Sequence, residues 1–197
     1  MFSGKTTELR KKLSVHKFAG HSCYLIKSAV DTRHVSDVKT HAGDGVKADR
    51  VCRTLSEVTD EDVARVDVIG IDEGQFFPDL MTRCERFASL GKIVYVAALR
   101  SRADGSAFAP VAELWPRVER IHDMQAVCLP CGNGAKSRAS FTIAIGGRPT
   151  GDVLIGGAET YVAVCRSCRD RLRAESTLPE PRPAVPTPDP SFQLTIT

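Results

Sequence analysis

The fold is decided by the stretch Val66-Asp67-Val68-Ile69-Gly70-Ile71-Asp72-Glu73, which is apolar over most of its length and then abruptly acidic. A short apolar run of this kind predicts a buried β-strand. Ligands of open α/β sheets bind beyond the carboxyl ends of the strands, which is where Asp72 and Glu73 fall. Paired carboxylates at that edge are able to hold Mg²⁺ and to accept a proton, with solvated acids at a strand end as the plain alternative.

Strand and helix patterns alternate on both sides of this stretch. The predicted strands are 21–27, 66–73, 92–99 and 117–123, and the predicted helices are 6–18, 59–65, 78–90 and 109–114. The polar segment 28–50 is predicted to be a long loop. Alternation of this kind predicts an α/β domain with a mainly parallel sheet.

The chain opens with Ser3-Gly4-Lys5-Thr6-Thr7, in which Gly-Lys-Thr matches the end of a phosphate-binding loop. The backbone of such a loop cradles phosphates, and the following helix N-terminus adds positive potential. The first glycine of a full loop would fall before Met1, and no strand precedes the loop in this sequence. An ordinary polar helix start is the alternative reading, and the acidic strand end favours the phosphate loop.

Seven cysteines include two C-x-x-C pairs, Cys128 with Cys131 and Cys165 with Cys168. Each such turn presents two thiolates to one metal, so two turns complete a tetrahedral zinc site with four ligands. Redox or simply buried cysteines are the alternative. Cys23 lies in a predicted strand and Cys84 in a predicted helix, so we interpret both as core residues.

Composition places the chain among globular proteins, since 42% of its 197 residues are hydrophobic and 26% are charged. The formal net charge of +3 is too small to indicate nucleic-acid binding by itself. We find no apolar run that would span a membrane and no secretory signal, so we expect a cytoplasmic protein without membrane or nucleic-acid partners. The arginines near the second cysteine pair fit one solvated helix face, without interleaved aromatic residues.

The character of the sequence changes near Ala126 and again near residue 175. We expect an α/β nucleotide-binding domain over 1–125, a zinc-binding domain with short antiparallel strands over 126–174, and a disordered tail over 175–197. Prolines dominate the tail, which holds too little apolar surface to order itself.

The motifs occur in one order along the chain: FSGKT at 2–6, KSAVDTR at 27–33, DEGQFFPD at 72–79, CLPC at 128–131, GGAETY at 156–161 and CRSC at 165–168. In these residues and this order the chain resembles the type II thymidine kinases, the cytosolic and viral family with a zinc-bearing lasso domain. The likeness runs from Met1 to about Arg171 and leaves out the proline-rich tail.

The resemblance implies a RecA-like P-loop domain, here without its first strand, plus a small zinc-ribbon-like lasso domain. It further implies a homotetramer that uses ATP, Mg²⁺ and structural Zn²⁺ to phosphorylate thymidine. The residues it implies are catalytic Glu73, Arg33 and Asp31; ATP- and Mg²⁺-binding Ser3, Gly4, Lys5, Thr6, Thr7, Asp72 and Gln75; thymidine-binding Met1, Phe76, Leu99, Phe108, Gly156, Gly157 and Tyr161; and zinc-binding Cys128, Cys131, Cys165 and Cys168.

The chain also departs from the family pattern. After Leu99 it has Arg100-Ser-Arg-Ala103 where the family has an Asp-Gly-Thr-Phe-like run, and Ala144 stands where an arginine is expected. Two alternatives therefore stay open: a deoxynucleoside kinase of broader specificity, and a zinc-binding homologue whose catalysis is impaired by the shortened loop. A start placed too far downstream or real degeneration would each account for that loop.

Overall fold

The computed structural model describes residues 1–31, 37–39, 45–131, 137–145 and 156–175. The helices are α1 (Lys5–Phe18), α2 (Leu80–Ser89), α3 (Ala109–Leu114) and α4 (Arg166–Glu175). Short 3₁₀ turns cover Leu55–Glu57, Gly74–Phe76 and Trp115–Arg117. The strands are β1 (Cys23–Ser28), β2 (Asp37–Lys39), β3 (Gly45–Lys47), β4 (Arg50–Cys52), β5 (Val68–Asp72), β6 (Ile93–Val96), β7 (Ala126–Val127), β8 (Arg138–Ala139), β9 (Phe141–Ala144) and β10 (Tyr161–Val164).

Contacts divide the chain into two units. Among the described residues, the sheet unit comprises those within Gly4–Arg100 and Phe108–Arg117, and the cysteine unit comprises those within Met1–Ser3 and Ser101–Ala107 and from Val118 onward.

The sheet unit is built on four parallel strands in the order β4-β1-β5-β6. All five residues of β5 are buried, whereas Ile93 of β6 is 42% exposed. Helix α1 packs on one face of this sheet, where Leu9 and Leu13 meet Leu25 and Val68. The parallel α/β sheet predicted from the alternating sequence is confirmed.

The cysteine unit contains two antiparallel pairs, β9 with β10 and β7 with β8. Its small core consists of buried alanine, valine and cysteine side chains: Ala126, Cys128, Ala139, Ala163, Val164 and Cys168. The short antiparallel strands predicted for this part of the sequence are confirmed.

Three local predictions are wrong. Residues 117–123 form no strand, since Val118 and Ile121 are three residues apart and cannot alternate across a sheet. Residues 59–65 form turns rather than a helix: Thr59 and Asp62 exchange the hydrogen bonds of a capping box, but only Val63 of these residues is buried, so too little packing stabilises further helical turns. The predicted loop at 28–50 includes β2 and β3, which pair antiparallel.

Candidate phosphate site and cysteine cluster

A glycine in β5 allows α1 to lie close to the sheet. A Cβ on Gly70 would come within 2.7 Å of Leu13 Cδ1, so the Leu13 side chain of α1 occupies the space that a side chain there would need. Thr6, Leu9 and Leu13 share one face of α1 because they are spaced by three and four residues. This close packing brings Thr6 to the acid two residues beyond Gly70.

The Thr6 hydroxyl meets the Asp72 carboxylate at the carboxyl end of β5. Its Oγ1 lies 3.2 Å from Oδ1 and 3.3 Å from Oδ2. Asp72 is only 5% exposed. This burial, together with the neighbouring Glu73 charge, raises the pKa of Asp72 to about 7 against the opposing Thr6 hydrogen bond. A hydroxyl and a carboxylate are the hard oxygen ligands that Mg²⁺ prefers, so these two residues fit that ion.

Helix α1 begins directly after Gly4, whose φ of 81° lies in the left-handed region that favours glycine. Its carbonyl accepts the first helical hydrogen bond, from Glu8 N at 2.9 Å. A glycine supplies no side-chain acceptor for the amides of the first turn. The result is a 14-residue helix that begins at Lys5, directly after a glycine. Its positive N-terminal end, together with this lysine, suits a phosphate.

Glu73 is held in an uncommon backbone conformation, with φ of 54° and ψ of 42°. The next residue, Gly74, donates its N–H to Ala97 O, and a Cβ there would clash with Val96 Cγ1 at 2.6 Å. The loop after β5 is therefore pressed against the end of β6. This fixes the direction in which the Glu73 carboxylate leaves the sheet.

The Gln75 side chain links that carboxylate to the backbone beyond β6. Its Oε1 accepts the N–H of Leu99 at 2.9 Å, which leaves Nε2 to donate to Glu73 Oε2. Because a backbone N–H is only a donor, this orientation of the amide is the one that satisfies both ends. Gln75 is 4% exposed, and its two hydrogen bonds hold the Glu73 carboxylate beside the backbone of Leu99.

An aromatic pair lies in the same unit. The rings of Phe76 and Phe108 meet edge to face at 6.5 Å, and Phe108 is the N-cap residue of α3. Together with Leu99, they form the apolar part of the residue set predicted for the nucleoside.

Asp31 is buried near the end of β1, with 6% of its surface exposed. Its Oδ2 lies 3.6 Å from the Nζ of Lys27. The predicted catalytic Arg33 lies outside the described residues. Lys27 opens the motif KSAVDTR, but the motif comparison gave it no role. A lysine inside the apolar strand Cys23–Ser28, four residues before an acid, was a visible signal.

The four cysteines of the C-x-x-C pairs come together in the cysteine unit, with all four sulfurs within 4.8 Å of one another. Cys131 Sγ lies 3.5 Å from Cys168 Sγ and 3.8 Å from Cys165 Sγ. Sulfurs around a tetrahedral zinc at ~2.3 Å would be separated by roughly 3.8 Å, so the cluster fits that ion. The predicted four-cysteine group is confirmed as a cluster that fits zinc.

Five other predicted residues belong to the cysteine unit: Met1, Ser3, Gly156, Gly157 and Tyr161. The amine of Met1 donates to Thr142 Oγ1 at 2.9 Å. Tyr161 begins β10, and its N–H donates to Gly157 O at 2.9 Å. A Cβ on Gly156 would lie 2.1 Å from Thr160 Oγ1, so this turn requires glycine for its own packing. The structure groups these residues separately from Thr6, Asp72 and Glu73.

A parallel α/β sheet whose carboxyl edge carries a Gly-Lys-Thr helix start beside an acidic strand end defines a P-loop fold. The family model described as thymidine kinase matches residues 1–169. The chain therefore belongs to the thymidine kinase family of enzymes, as the order of its motifs indicated.

Known members of the family resemble it over most of their length. The cytosolic thymidine kinase of Gallus gallus is 39% identical over 187 residues, which cover 94% of this chain and 80% of that protein. The cytosolic thymidine kinase of Bos taurus is 42% identical over 85% of this chain and 68% of its own length. The thymidine kinase of rabbit fibroma virus is 38% identical over 85% and 90%.

The chicken alignment covers 94% of the chain and so extends into the proline-rich segment. The likeness found by motif comparison ends earlier, at about Arg171. Among the helices that the structure describes, none combines the length and the apolar character that crossing a bilayer requires.

Proposed function

We propose that this chain transfers the γ-phosphoryl group of ATP to the 5′-hydroxyl of thymidine, giving thymidine 5′-monophosphate and ADP. The observation that carries the proposal is the contact between Thr6 of the Gly-Lys-Thr element and Asp72 of the acidic strand end. Phosphoryl transfer depends on positioning and charge more than on covalent chemistry, and the proposal is supported by this contact between the Gly-Lys-Thr element and the acidic strand end.

The residues that open the chain would bind the phosphates. Gly4 lets the backbone approach them, and the N-terminus of α1 offers amide donors and positive potential. Lys5 would pair with the β- and γ-phosphates, with Ser3 and Thr7 contributing hydroxyl contacts. Thr6 and Asp72 would hold Mg²⁺, which when bound neutralises charge on the β- and γ-phosphate oxygens.

Glu73 would act as the general base. Its carboxylate accepts the proton of the 5′-hydroxyl as that oxygen bonds to the γ-phosphorus and the bond from this phosphorus to the β–γ bridging oxygen breaks. Gln75, included among the ATP-binding residues on the resemblance, has a second role that its contacts support: it orients Glu73. Asp31 and Arg33 would act near the transferring phosphoryl group, where an arginine stabilises developing charge.

Phe76, Phe108 and Leu99 would line the nucleoside pocket, since their apolar surfaces suit a pyrimidine base. Met1, Gly156, Gly157 and Tyr161 are proposed as thymidine-binding residues on the resemblance alone. Zinc at the four cysteines would be structural, because four thiolates leave no open coordination position.

We also propose a cytoplasmic homotetramer. The cellular relatives are named cytosolic, and thiols that serve as metal ligands suit a reducing compartment. The proposed domains remain those of the sequence: a nucleotide-binding domain over 1–125, a lasso domain over 126–174 and a tail over 175–197.

The test is conversion of thymidine to its monophosphate by the purified chain with ATP and Mg²⁺. We expect Glu73→Gln to lower kcat by about 10²–10⁴-fold, the range for loss of a general base, with zinc content unchanged. Glu61→Gln changes an exposed acid and serves as the matched control that keeps wild-type turnover. Near-normal turnover in Glu73→Gln would refute the assignment of the base.

A broader deoxynucleoside kinase is the second candidate, favoured by Arg100-Ser-Arg-Ala103 and Ala144, which replace the residues expected in the family. Deoxycytidine in the same assay separates the two. Comparable kcat/KM for both nucleosides would support the broader enzyme, and strong selectivity for thymidine would exclude it. No turnover with either nucleoside would point instead to the catalytically impaired homologue.

A further inference from the structure

Lys27 is a lysine in the interior of the sheet unit. It is 1% exposed, the most buried charged residue among those described, and it occupies the fifth position of β1. Lysine is almost never fully buried unless it is paired, because removing an ammonium from water is costly. A residue of this kind calls for an explanation beyond the packing of a strand.

The ammonium is paired with a residue already proposed to be catalytic. After β1 the chain turns back on itself: Asp31 N donates to Ser28 O at 3.2 Å, and Val30 N donates to Ser28 Oγ at 3.3 Å. This turn places Asp31 Oδ2 3.6 Å from Lys27 Nζ, with both side chains shielded from solvent. The pair therefore depends on the local fold of the β1 carboxyl end.

Strand register places the same lysine beside the proposed Mg²⁺ ligand. Lys27 of β1 is in register with Asp72 of β5. Residues in register on neighbouring strands point to the same face of a sheet, and on this face Leu25 and Val68 meet α1. Lys27 thus belongs to the carboxyl edge where two buried carboxylates would face an anionic nucleotide.

Stability alone does not explain the pair. Replacing a buried ion pair by apolar residues of similar volume is often neutral or stabilising, so such a pair is weak evidence of a stabilising role. We propose that Lys27 is a positioning residue for phosphoryl transfer, which holds the Asp31 carboxylate in place at the carboxyl edge of the sheet. This inference deepens the proposed function and rests on it.

A double-mutant cycle in the full chain tests the proposal. We expect Lys27→Met and Asp31→Asn each to lower kcat by about 100-fold, with KM for thymidine and for ATP within about three-fold of the wild type. Lys27→Met also removes the ammonium that lies beside the buried Asp31 carboxylate and should lower Tm. The double variant should regain Tm but have the same kcat as Asp31→Asn alone, because Lys27 acts through Asp31.

Several outcomes would overturn the inference. A double variant that regains both Tm and kcat would make the pair purely structural. A double variant about 100-fold below Asp31→Asn would mean that Lys27 acts independently of Asp31, and this comparison holds even if Lys27→Met alone fails to fold. Full activity of Lys27→Met or of Asp31→Asn would also refute it.

Lys11→Met is the matched control, since the Lys11 side chain is 73% exposed and should tolerate the change. The wild-type rate with thymidine distinguishes a failure of the proposed function from a failure of the role proposed for Lys27. A wild-type chain that leaves thymidine unphosphorylated refutes the proposed function and this inference with it. An active wild type combined with a fully active Lys27→Met refutes the inference alone.

Discussion

Asp72 is a residue whose proposed role opposes the stability of the fold. Its carboxylate is buried beside the Glu73 charge, and the pKa of Asp72 rises to about 7 from the ordinary 3.8. The folded chain then binds more protons than the unfolded chain between those two values. The free energy of unfolding therefore falls as the pH rises from about 4 to about 7, and the loss is complete above that range.

We predict that Asp72→Asn, measured without magnesium or nucleotide, is more stable than the wild type at pH 8 by ~2–4 kcal/mol. The advantage should vanish near pH 4, where the wild-type carboxyl is protonated. Turnover should be lost, because the amide is a poor ligand for the proposed Mg²⁺. Urea unfolding at both pH values, with kcat measured alongside, checks the prediction.

Asp67 serves as a control, because the pH dependence of its contribution to stability has the opposite sign. Hydrogen bonds from the side chain and the backbone of Ser22 lower the pKa of Asp67, which is exposed. Its contribution to stability is present above its unfolded pKa and is lost as the pH falls. Asp67→Asn should therefore be less stable than the wild type at pH 8. A loss of stability in Asp72→Asn at pH 8 would contradict the account of that residue.

At the scale of one residue, the sequence predicted the candidate functional side chains but not the contacts between them. Asp72 and Glu73 were found because two acids follow an apolar run, and the cysteine pairs because their spacing is that of a metal site. The role of Gln75 could not be found in this way, since the acceptor site for Leu99 N exists only once β6 lies beside β5. Lys27 was visible as a lysine in an apolar strand, but its contact with Asp31 was not, because that contact depends on the turn after β1.

At the scale of elements, apolar periodicity predicted α1, α2, α3 and the buried strands within a few residues. It did not reveal the 3₁₀ turn at Leu55–Glu57. Thr54 and Glu57 cap this turn, and the carboxylate of Asp79 accepts the N–H groups of Leu55 and Ser56. The contacts of Asp79 join residues more than twenty positions apart, so no local pattern reveals them.

The packing of α1 on β5 gives a prediction at this scale. Gly70→Ala would place a Cβ 2.7 Å from Leu13 Cδ1, in a region where Leu13 is 4% exposed. We expect a cost of ~1–3 kcal/mol, the usual range for overpacking, and a lower kcat because α1 carries Thr6 away from Asp72. Urea unfolding and thymidine turnover measure the two effects.

Leu13→Val combined with Gly70→Ala is the control for this prediction. It removes one methylene from the helix side of the contact and makes room for the new methyl group. Stability and turnover should both recover in the double variant. Recovery of stability without recovery of turnover would mean that Gly70 affects catalysis by a route other than the position of α1.

At the scale of the whole molecule, the two units differ in the buried side chains that stabilise each of them. The sheet unit buries leucine, isoleucine, valine and phenylalanine side chains on both faces of a parallel sheet. The described core of the cysteine unit has no buried side chain larger than valine, and two of its buried members, Cys128 and Cys168, are metal-ligand candidates. A core of this size needs an additional stabilising element, such as a bound metal, to stay folded.

We therefore predict that zinc removal unfolds the cysteine unit and leaves the sheet unit folded, because the free energy of zinc binding is the folding free energy of such a site. The purified chain should hold one zinc, and Cys128→Ser should hold none. Cys84→Ser, which changes a buried thiol in α2, is the matched control and should keep its zinc. Hydrogen exchange measures both units: amides of β10 should lose protection after chelation, while those of β5 keep it. Protected β10 amides in the metal-free chain would show that the apolar core alone suffices, and zinc would then have no structural role here.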